Sequence, residues 1–168
     1  AARKRAPTAA KRQRRANGGT REGAKGLGVD PVASAGGASP VQTAQSQGAK
    51  VIADDRPSTK AKADFYVSFD NEKIGNLIAS SLIDHLKKTN ATGGVLQING
   101  SPTDAAAGLI KKGVHSAVDP SGIKLLAEFD TPDWQPAKAQ EWTTGQITRF
   151  GNQIAGVVAA NDGTGGGA

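Results

Sequence analysis

The sequence predicts an α/β fold built on a doubly wound parallel sheet. Short apolar runs typical of buried strands alternate with longer segments whose apolar residues recur every three or four positions, the period of an amphipathic helix. The connections between these segments are short. Units of this kind place parallel strands in a sheet with helices on both of its faces.

The predicted elements alternate along the whole chain after residue 29. Residues 29–32 are predicted to hold the end of a strand and a turn, and further strands are predicted at 49–53, 64–69, 95–98, 123–129 and 154–160. The helices cover 38–47, 71–86, 104–118 and 136–150. We expect Leu77, Leu109 and Ile147 to lie on the apolar faces of the last three helices. Because the chain stops after a strand, we expect a fragment whose last strand lacks its covering helix.

A basic tail precedes the predicted fold. The net charge of +6 arises there, since residues 1–25 contain nine Lys and Arg side chains and one acidic side chain. Residues 1–28 have no aromatic residue and no apolar periodicity, which predicts disorder. A basic arm can bind nucleic acid through its phosphates, but aromatic residues that would stack on bases are missing, which favours a solvated leader. We predict no signal segment and no membrane helix in this chain.

Polar residues follow four of the predicted strands. They are Asp55 and Arg56, Ser101 and Asp104, Asp133 and Trp134, and Asn161 and Asp162. The carboxyl ends of parallel strands meet at one edge of a sheet, which is where open α/β folds bind small ligands. Carboxylates, a guanidinium and an amide can bind vicinal hydroxyls, and an indole can stack on a C–H face. The set therefore suits a neutral polyhydroxylated ligand.

Each of these residues also has a purely structural interpretation. Asp104 suits the N-cap of the following helix, Asp55 and Arg56 could form a surface ion pair, and Asn161 could belong to a simple turn. Trp134 is the most informative residue because it lies in a loop between prolines. Trp142, in contrast, lies on a helical stripe and is expected to pack. His85 also lies on such a stripe, and we expect a packed or boundary side chain there rather than a ligand.

Recognisable catalytic motifs are missing from the sequence. It has two His and no Cys, no Gly-x-Ser-x-Gly and no His-Glu-x-x-His, so we predict neither an enzyme nor a metal site. The glycine run at 163–167 lacks the Lys and Ser or Thr of a phosphate-binding loop. We predict no cofactor.

Several motifs in order resemble the sugar-binding proteins of ABC transporters, which have the type I periplasmic-binding fold, and in particular their xylose-binding branch. The motifs are 49–56 (AKVIADDR), 64–75 (DFYVSFDNEKIG), 100–104 (GSPTD), 133–134 (DW) and 157–162 (VVAAND). No residue of the tail carries the resemblance. At Asp54 the family tends to have an aromatic residue, and at Ala105 and Ala106 it has two asparagines.

The resemblance implies an incomplete two-lobe, periplasmic-binding-protein-like fold. Residues 29–63 would be a remnant of the first lobe with the hinge, and 64–168 a truncated second lobe. Asp55 and Arg56 from the first lobe and Asp104, Trp134 and Asn161 from the second would bind a monosaccharide. The protein would be an extracytoplasmic monomer that serves a membrane permease and performs no catalysis.

Two other functions remain open at this stage. The basic tail would suit a nucleic-acid-associated protein, although we expect no nucleic-acid partner, and sugar-sensing transcription regulators share the fold. A regulator would need a helix-turn-helix ahead of the fold, and residues 1–28 show no such apolar pattern. We expect the chain alone to bind sugar weakly or not at all and to melt over a broad temperature range.

Overall fold

Two three-stranded parallel sheets organise the chain. The structure, a computed structural model, describes residues 23–31 and 34–168. Each sheet belongs to its own compact unit, with the division between Ser68 and Phe69. The parallel α/β fold class predicted from the sequence is confirmed.

The first unit contains three strands and one helix in its described residues. The strands are β1 (Gly26–Val29), β2 (Lys50–Asp54) and β3 (Phe65–Val67), in the order β1-β2-β3. Helix α1 (Ala38–Ser46) follows a 3₁₀ turn and covers one face of the sheet, where Val41 and Ala44 pack with Ala49 and Val51. The other face leaves Ile52, Phe65 and Val67 exposed.

Two predicted boundaries in this unit differ from the structure. Residues 26–28 were expected in the disordered tail but belong to β1, because Gly26 pairs with Lys50 and Gly28 with Ile52. Residues 65–67 were expected in the second lobe but form β3, because Phe65 pairs with Ile52. Residues 1–22 of the predicted tail lie outside the described residues.

The second unit has β4 at the centre of its sheet. The order is β5-β4-β6, formed by β4 (Gly94–Asn99), β5 (Leu125–Asp130) and β6 (Ile154–Ala159). Its helices are α2 (Asn71–Lys88), α3 (Ala105–Val118), α4 (Pro136–Phe150) and α5 (Asp162–Gly167). All of β4 is buried, as expected for a central strand covered on both faces.

Helices cover both faces of this second sheet. On one face, Ala79 and Ile83 of α2 and Val114 of α3 pack with Val95 and Val158 of the sheet. On the other face, Phe129 stacks on Trp142 of α4, with ring centroids 5.4 Å apart. Side chains alternate between the two faces along a strand, so the two clusters flank the sheet. Trp142 is therefore a packing residue, as predicted.

The predicted helix cap agrees with the structure, whereas several predicted inward-facing residues do not. Asp104 caps α3, as the structural interpretation of this residue predicted, while Asp70 caps α2 and Pro136 begins α4. Leu77, Leu109 and Ile147 were expected inward but are exposed, because Ile83, Ile110 and Ala139 occupy the faces that meet the rest of the unit. His85, expected to be a packed or boundary side chain, is exposed. Among the described helices, none combines the length and apolar character needed to cross a membrane.

The expectation that no helix follows the last strand is wrong, because the segment after β6 forms the short helix α5. Asn161 caps it, and Gly167 lies so close to α4 that a Cβ there would be 2.5 Å from the carbonyl oxygen of Pro136. The low helix propensity of glycine explains why the sequence did not predict this helix, and close packing against α4 explains the glycine at 167.

Candidate functional site

The carboxyl ends of β4, β5 and β6 meet at one edge of the second sheet. The Ala160 amide donates to the carbonyl of Ile98 at 2.9 Å, which holds the end of β6 beside β4. The Thr131 amide donates to the carbonyl of Gly100 at 3.1 Å, which holds the end of β5 beside the loop after β4. The loops that contain Asp104, Trp134 and Asn161 therefore start from one edge, as predicted.

Asp104 lies at the N-terminus of α3 and is only 4% exposed. One carboxylate oxygen, Oδ1, accepts a hydrogen bond from the Ala106 amide at 3.0 Å, which is the N-cap interaction. The other, Oδ2, accepts one from Nε1 of Trp134 at 3.2 Å. Asp104 and Trp134 are thus in direct contact, and Asp104 is also the N-cap of α3.

Trp134 belongs to a 3₁₀ turn, Pro132–Trp134, between β5 and α4. Asp133 and Trp134 both have positive φ angles, 50° and 56°, a region that L-residues rarely adopt. The indole lies against Gly100, where an added Cβ would be 2.1 Å from one carbon of the six-membered ring. The side chain remains partly accessible.

Asn161 lies at the end of β6 and is exposed. Its Oδ1 accepts hydrogen bonds from the amide and the hydroxyl of Thr164, both at 2.9 Å, so the oxygen is engaged in capping α5. Its amide nitrogen is the group suited to donate to a ligand. A cavity of about 350 Å³ adjoins it, lined also by Ile74, Ile78 and Ala159 but not by Asp104 or Trp134.

Asp55 and Arg56 follow β2 in the first unit. Asp55 has a φ of 61°, and its carbonyl accepts hydrogen bonds from the hydroxyls of Tyr66 (3.1 Å) and Ser68 (2.9 Å). The Arg56 side chain is half-buried, with Nε 3.9 Å from the Asp55 carboxylate. Sequence reasoning missed the supporting role of Tyr66 and Ser68, although both are hydroxyl residues in or next to a strand that pairs with β2.

Sequence reasoning also missed a polar network between the second sheet and α3. It begins at Gln97, which is fully buried and donates to Asn99 at 2.7 Å, and Asn99 donates to Asp130 at 3.0 Å. Lys111 of α3 donates to Asp130 at 3.1 Å and lies 3.0 Å from Glu128. A possible signal was the matching alternation of polar residues in β4 and β5.

The charges of this network shift one another's pKa values. Burial alone would raise the pKa of Glu128, but hydrogen bonds from His115 and Lys111 outweigh burial and lower it. Burial would likewise lower the pKa of Lys111, but hydrogen bonds to Glu128 and Asp130 raise it. The network therefore favours charged side chains at the interface of β5 and α3.

The chain matches a family model described as "Periplasmic binding protein domain" over residues 5–168. It belongs to this family. The match begins inside the predicted tail, so the expectation that the tail matches nothing in the family is wrong.

Two curated proteins that are similar to this chain are named D-xylose-binding periplasmic proteins. Those of Escherichia coli (strain K12) and Haemophilus influenzae are 38% and 39% identical to this chain over 132 residues. These matches cover 76% of this chain and 39% of each relative, so the chain spans well under half of their length. Both relatives are binding proteins by name.

Solved structures of similar fold include sugar-bound and inositol-bound proteins. The myo-inositol-binding protein of Caulobacter has a TM-score of 0.80 and 24% identity, over 96% of this chain and 54% of that protein. A solute-binding protein of an ABC transporter from Actinobacillus succinogenes, solved with D-allose, has a TM-score of 0.79 and 26% identity, over 93% of this chain and 56% of that protein.

Proposed function

We propose that this chain is part of the substrate-binding component of an ABC importer for a xylose-like monosaccharide. It binds sugar outside the cytoplasm as a monomer, passes it to a membrane permease and catalyses no reaction. The identity to two D-xylose-binding periplasmic proteins supports this proposal. The comparisons give no support to the alternatives of a nucleic-acid-associated protein or a sugar-sensing regulator.

The observation that carries the proposal is the hydrogen-bonded pair of Asp104 and Trp134 at the carboxyl edge of the second sheet. An indole offers a flat apolar surface that suits the C–H face of a pyranose ring. Asn161, at the same edge, offers an amide N–H to a hydroxyl. These three residues are the proposed sugar site of the second unit.

In the first unit, Asp55 and Arg56 are the proposed sugar-binding residues. The positive φ of Asp55 and the hydrogen bonds from Tyr66 and Ser68 fix the backbone at this turn. Unusual backbone conformations that are held by their surroundings are common at binding sites. A carboxylate accepts and a guanidinium donates, so the pair can bind two neighbouring hydroxyls.

The test is a titration of the ¹⁵N-labelled chain with D-xylose, followed by NMR at the two indole N–H resonances. We expect the Trp134 resonance to shift progressively, with a dissociation constant in the millimolar range. The affinity is weak because Ala105 and Ala106 provide no side-chain hydrogen bonds, and a buried polar group without a partner costs about 1–3 kcal/mol.

Trp142 is the internal control for this titration because it stacks on Phe129 in the core. Its resonance should stay in place, and glycerol at equal concentration should move neither resonance. The proposal fails if Trp134 does not respond to D-xylose or if both indoles respond equally to D-xylose and glycerol.

A further inference from the structure

The backbone of the Trp134 turn adopts a conformation that the sequence does not favour. Two consecutive non-glycine residues, Asp133 and Trp134, lie in the left-handed region. Side chains crowd the backbone there, so neighbouring contacts must hold the turn. The Trp134 amide donates to the Thr131 carbonyl at 3.2 Å and that of Gln135 to the Pro132 carbonyl at 3.1 Å, but both contacts lie within the turn itself.

Asp104 and Gly100 contact the indole from outside the turn. Asp104 accepts the indole N–H at 3.2 Å. Gly100, which is buried, allows the six-membered ring to lie against the backbone, since an added Cβ would be within 2.6 Å of three adjacent ring carbons. One side of the ring thus lies against Gly100. Two contacts fix the position of the ring: the hydrogen bond from its nitrogen to Asp104 at one end and the contact with Gly100 at the other.

The burial of Asp104 indicates what its carboxylate does. At 4% exposure, with one oxygen bonded to the Ala106 amide and the other to the indole, it presents little surface to a ligand. A buried carboxylate that accepts an N–H bond gives a strong and directional contact. We propose that Asp104 is a positioning residue, which holds the Trp134 indole against Gly100 so that the other side of the ring receives the sugar.

This inference rests on the proposed function and changes the role of one residue within it. The resemblance to the family places Asp104 among the residues that bind the sugar directly. On this proposal, Asp104 acts on the sugar only through Trp134. The two roles make different predictions for the indole in the absence of any sugar.

The main variant is Asp104→Ser. Serine is also a good N-cap residue, so α3 keeps its cap, but its hydroxyl is too short to accept the indole N–H. Asp70→Ser is the matched control, because Asp70 caps α2 through the Lys73 amide at 2.9 Å and has no role in the proposed sugar site. Asp104→Asn is the second variant: its oxygen can cap α3 while its amide nitrogen, a donor, faces the indole N–H.

The first readout needs no sugar: the heteronuclear ¹H–¹⁵N NOE of the Trp134 indole, which reports motion on the picosecond to nanosecond timescale. We expect it to fall in Asp104→Ser and Asp104→Asn and to stay unchanged in Asp70→Ser. The NOE of Trp142 should be the same in all variants. An unchanged Trp134 NOE in folded Asp104 variants overturns the inference.

The second readout is a double-mutant cycle with Trp134→Phe, which keeps an aromatic ring and removes the N–H donor. We expect Asp104→Ser to weaken D-xylose binding roughly tenfold in the wild-type background and to have little further effect beside Trp134→Phe. Additive losses would mean that Asp104 contacts the sugar directly, which overturns the inference and leaves the proposed function intact. A wild-type chain without any response to D-xylose overturns the proposed function, while the sugar-free NOE still decides the role of Asp104.

Discussion

His115 on α3 lies between two carboxylates, Glu128 at 2.9 Å and Asp119 at 3.2 Å. Burial alone would lower the pKa of His115, but the hydrogen bonds with Glu128 and Asp119 outweigh burial and raise the pKa above its ordinary value. Lys111 is the other charged group that faces Glu128 in this cluster, at 3.0 Å. The contact with Glu128 therefore links α3 to β5, and it is stronger when the imidazole is protonated.

The raised pKa predicts how the stability of this link depends on pH. Because the folded-state pKa is the higher one, the stabilisation is fully present below the unfolded pKa and is lost as the pH rises through the folded pKa. Melting temperatures of the wild type and His115→Gln, measured from about pH 5 to about pH 8, should therefore converge as the pH rises. His85→Gln, at an exposed position of α2, should keep the wild-type pH dependence, whereas an identical pH dependence in His115→Gln would refute the prediction.

Asp64 connects three parts of the first unit. Its carboxylate accepts hydrogen bonds from Lys50 Nζ at 2.8 Å, from the Val51 amide at 2.9 Å and from Gln45 Nε2 at 3.2 Å. These bonds, of which that from Lys50 has the largest effect, lower the pKa of Asp64 far below its ordinary value. The ionised carboxylate therefore stabilises β2 and α1 together.

Asp64→Asn should destabilise the first unit at neutral pH. A carboxylate whose pKa is lowered by folding stabilises the folded state above its unfolded-state pKa, and this stabilisation is lost as the pH falls through the folded-state pKa. The loss of stability in Asp64→Asn should therefore shrink only in strong acid. Thermal unfolding monitored by the near-UV signal of Tyr66, the only tyrosine, measures this effect. Asp84→Asn, on the exposed side of α2, should leave that signal unchanged; a deficit that grows in acid would contradict the assignment.

At the scale of secondary-structure elements, two glycines set the distance between α2 and α3. A Cβ at Gly75 would lie 2.0 Å from the carbonyl oxygen of Ile110, and a Cβ at Gly113 would lie 2.0 Å from that of Glu72. Both obstacles are backbone atoms of the facing helix, which cannot rotate away. The helices therefore approach more closely than any side chain at these positions would allow.

Gly113→Ala should destabilise the second unit because the helices must separate. Overpacking costs about 1–3 kcal/mol, which exceeds the gain of about 1 kcal/mol in helix propensity. Gly108→Ala in the same helix is the control: its Cβ would meet nothing within 4 Å, so only the propensity gain applies. Denaturant unfolding followed by tryptophan fluorescence gives the free energy of unfolding of each variant. If Gly113→Ala is more stable than the wild type, the contact between α2 and α3 is looser than in the structure.

Local patterns predicted most elements, whereas tertiary packing decided the details that were missed. Alternation and helical period predicted β4, β5 and β6 and the helices α2 to α4, since both depend on nearby residues. The contact between Asp104 and Trp134 joins residues 30 positions apart, so the sequence predicted a shared sheet edge but not the hydrogen bond. The network from Gln97 to Lys111 depends on the register between β4 and β5, which no local pattern determines.

At the scale of the whole molecule, the two units have hydrophobic clusters of different size. Among the described residues, the buried cluster of the first unit consists of Val41, Ala44, Ala49 and Val51. That of the second unit contains eight buried residues from α2, α3, β4 and β6. Burial of apolar area provides most of the favourable free energy of folding, so the first unit should be the less stable one.

The exposed face of the first sheet adds to this difference. Ile52, Phe65 and Val67 are 43%, 61% and 57% exposed and gain little from folding. We therefore expect a broad calorimetric transition in which the first unit unfolds at a lower temperature. The chain provides a separate probe for each unit, because Tyr66 lies in the first and Trp134 and Trp142 lie in the second.

The measurement compares near-UV circular dichroism of Tyr66 with tryptophan fluorescence during one thermal scan. Two-state unfolding requires that all probes report the same transition. We expect the Tyr66 transition to come first, and Val51→Ala to lower its midpoint further while the tryptophan transition stays in place, because Val51 is buried only in the first cluster. A single sharp transition that both probes share, and that Val51→Ala shifts as a whole, would show that the two units unfold cooperatively.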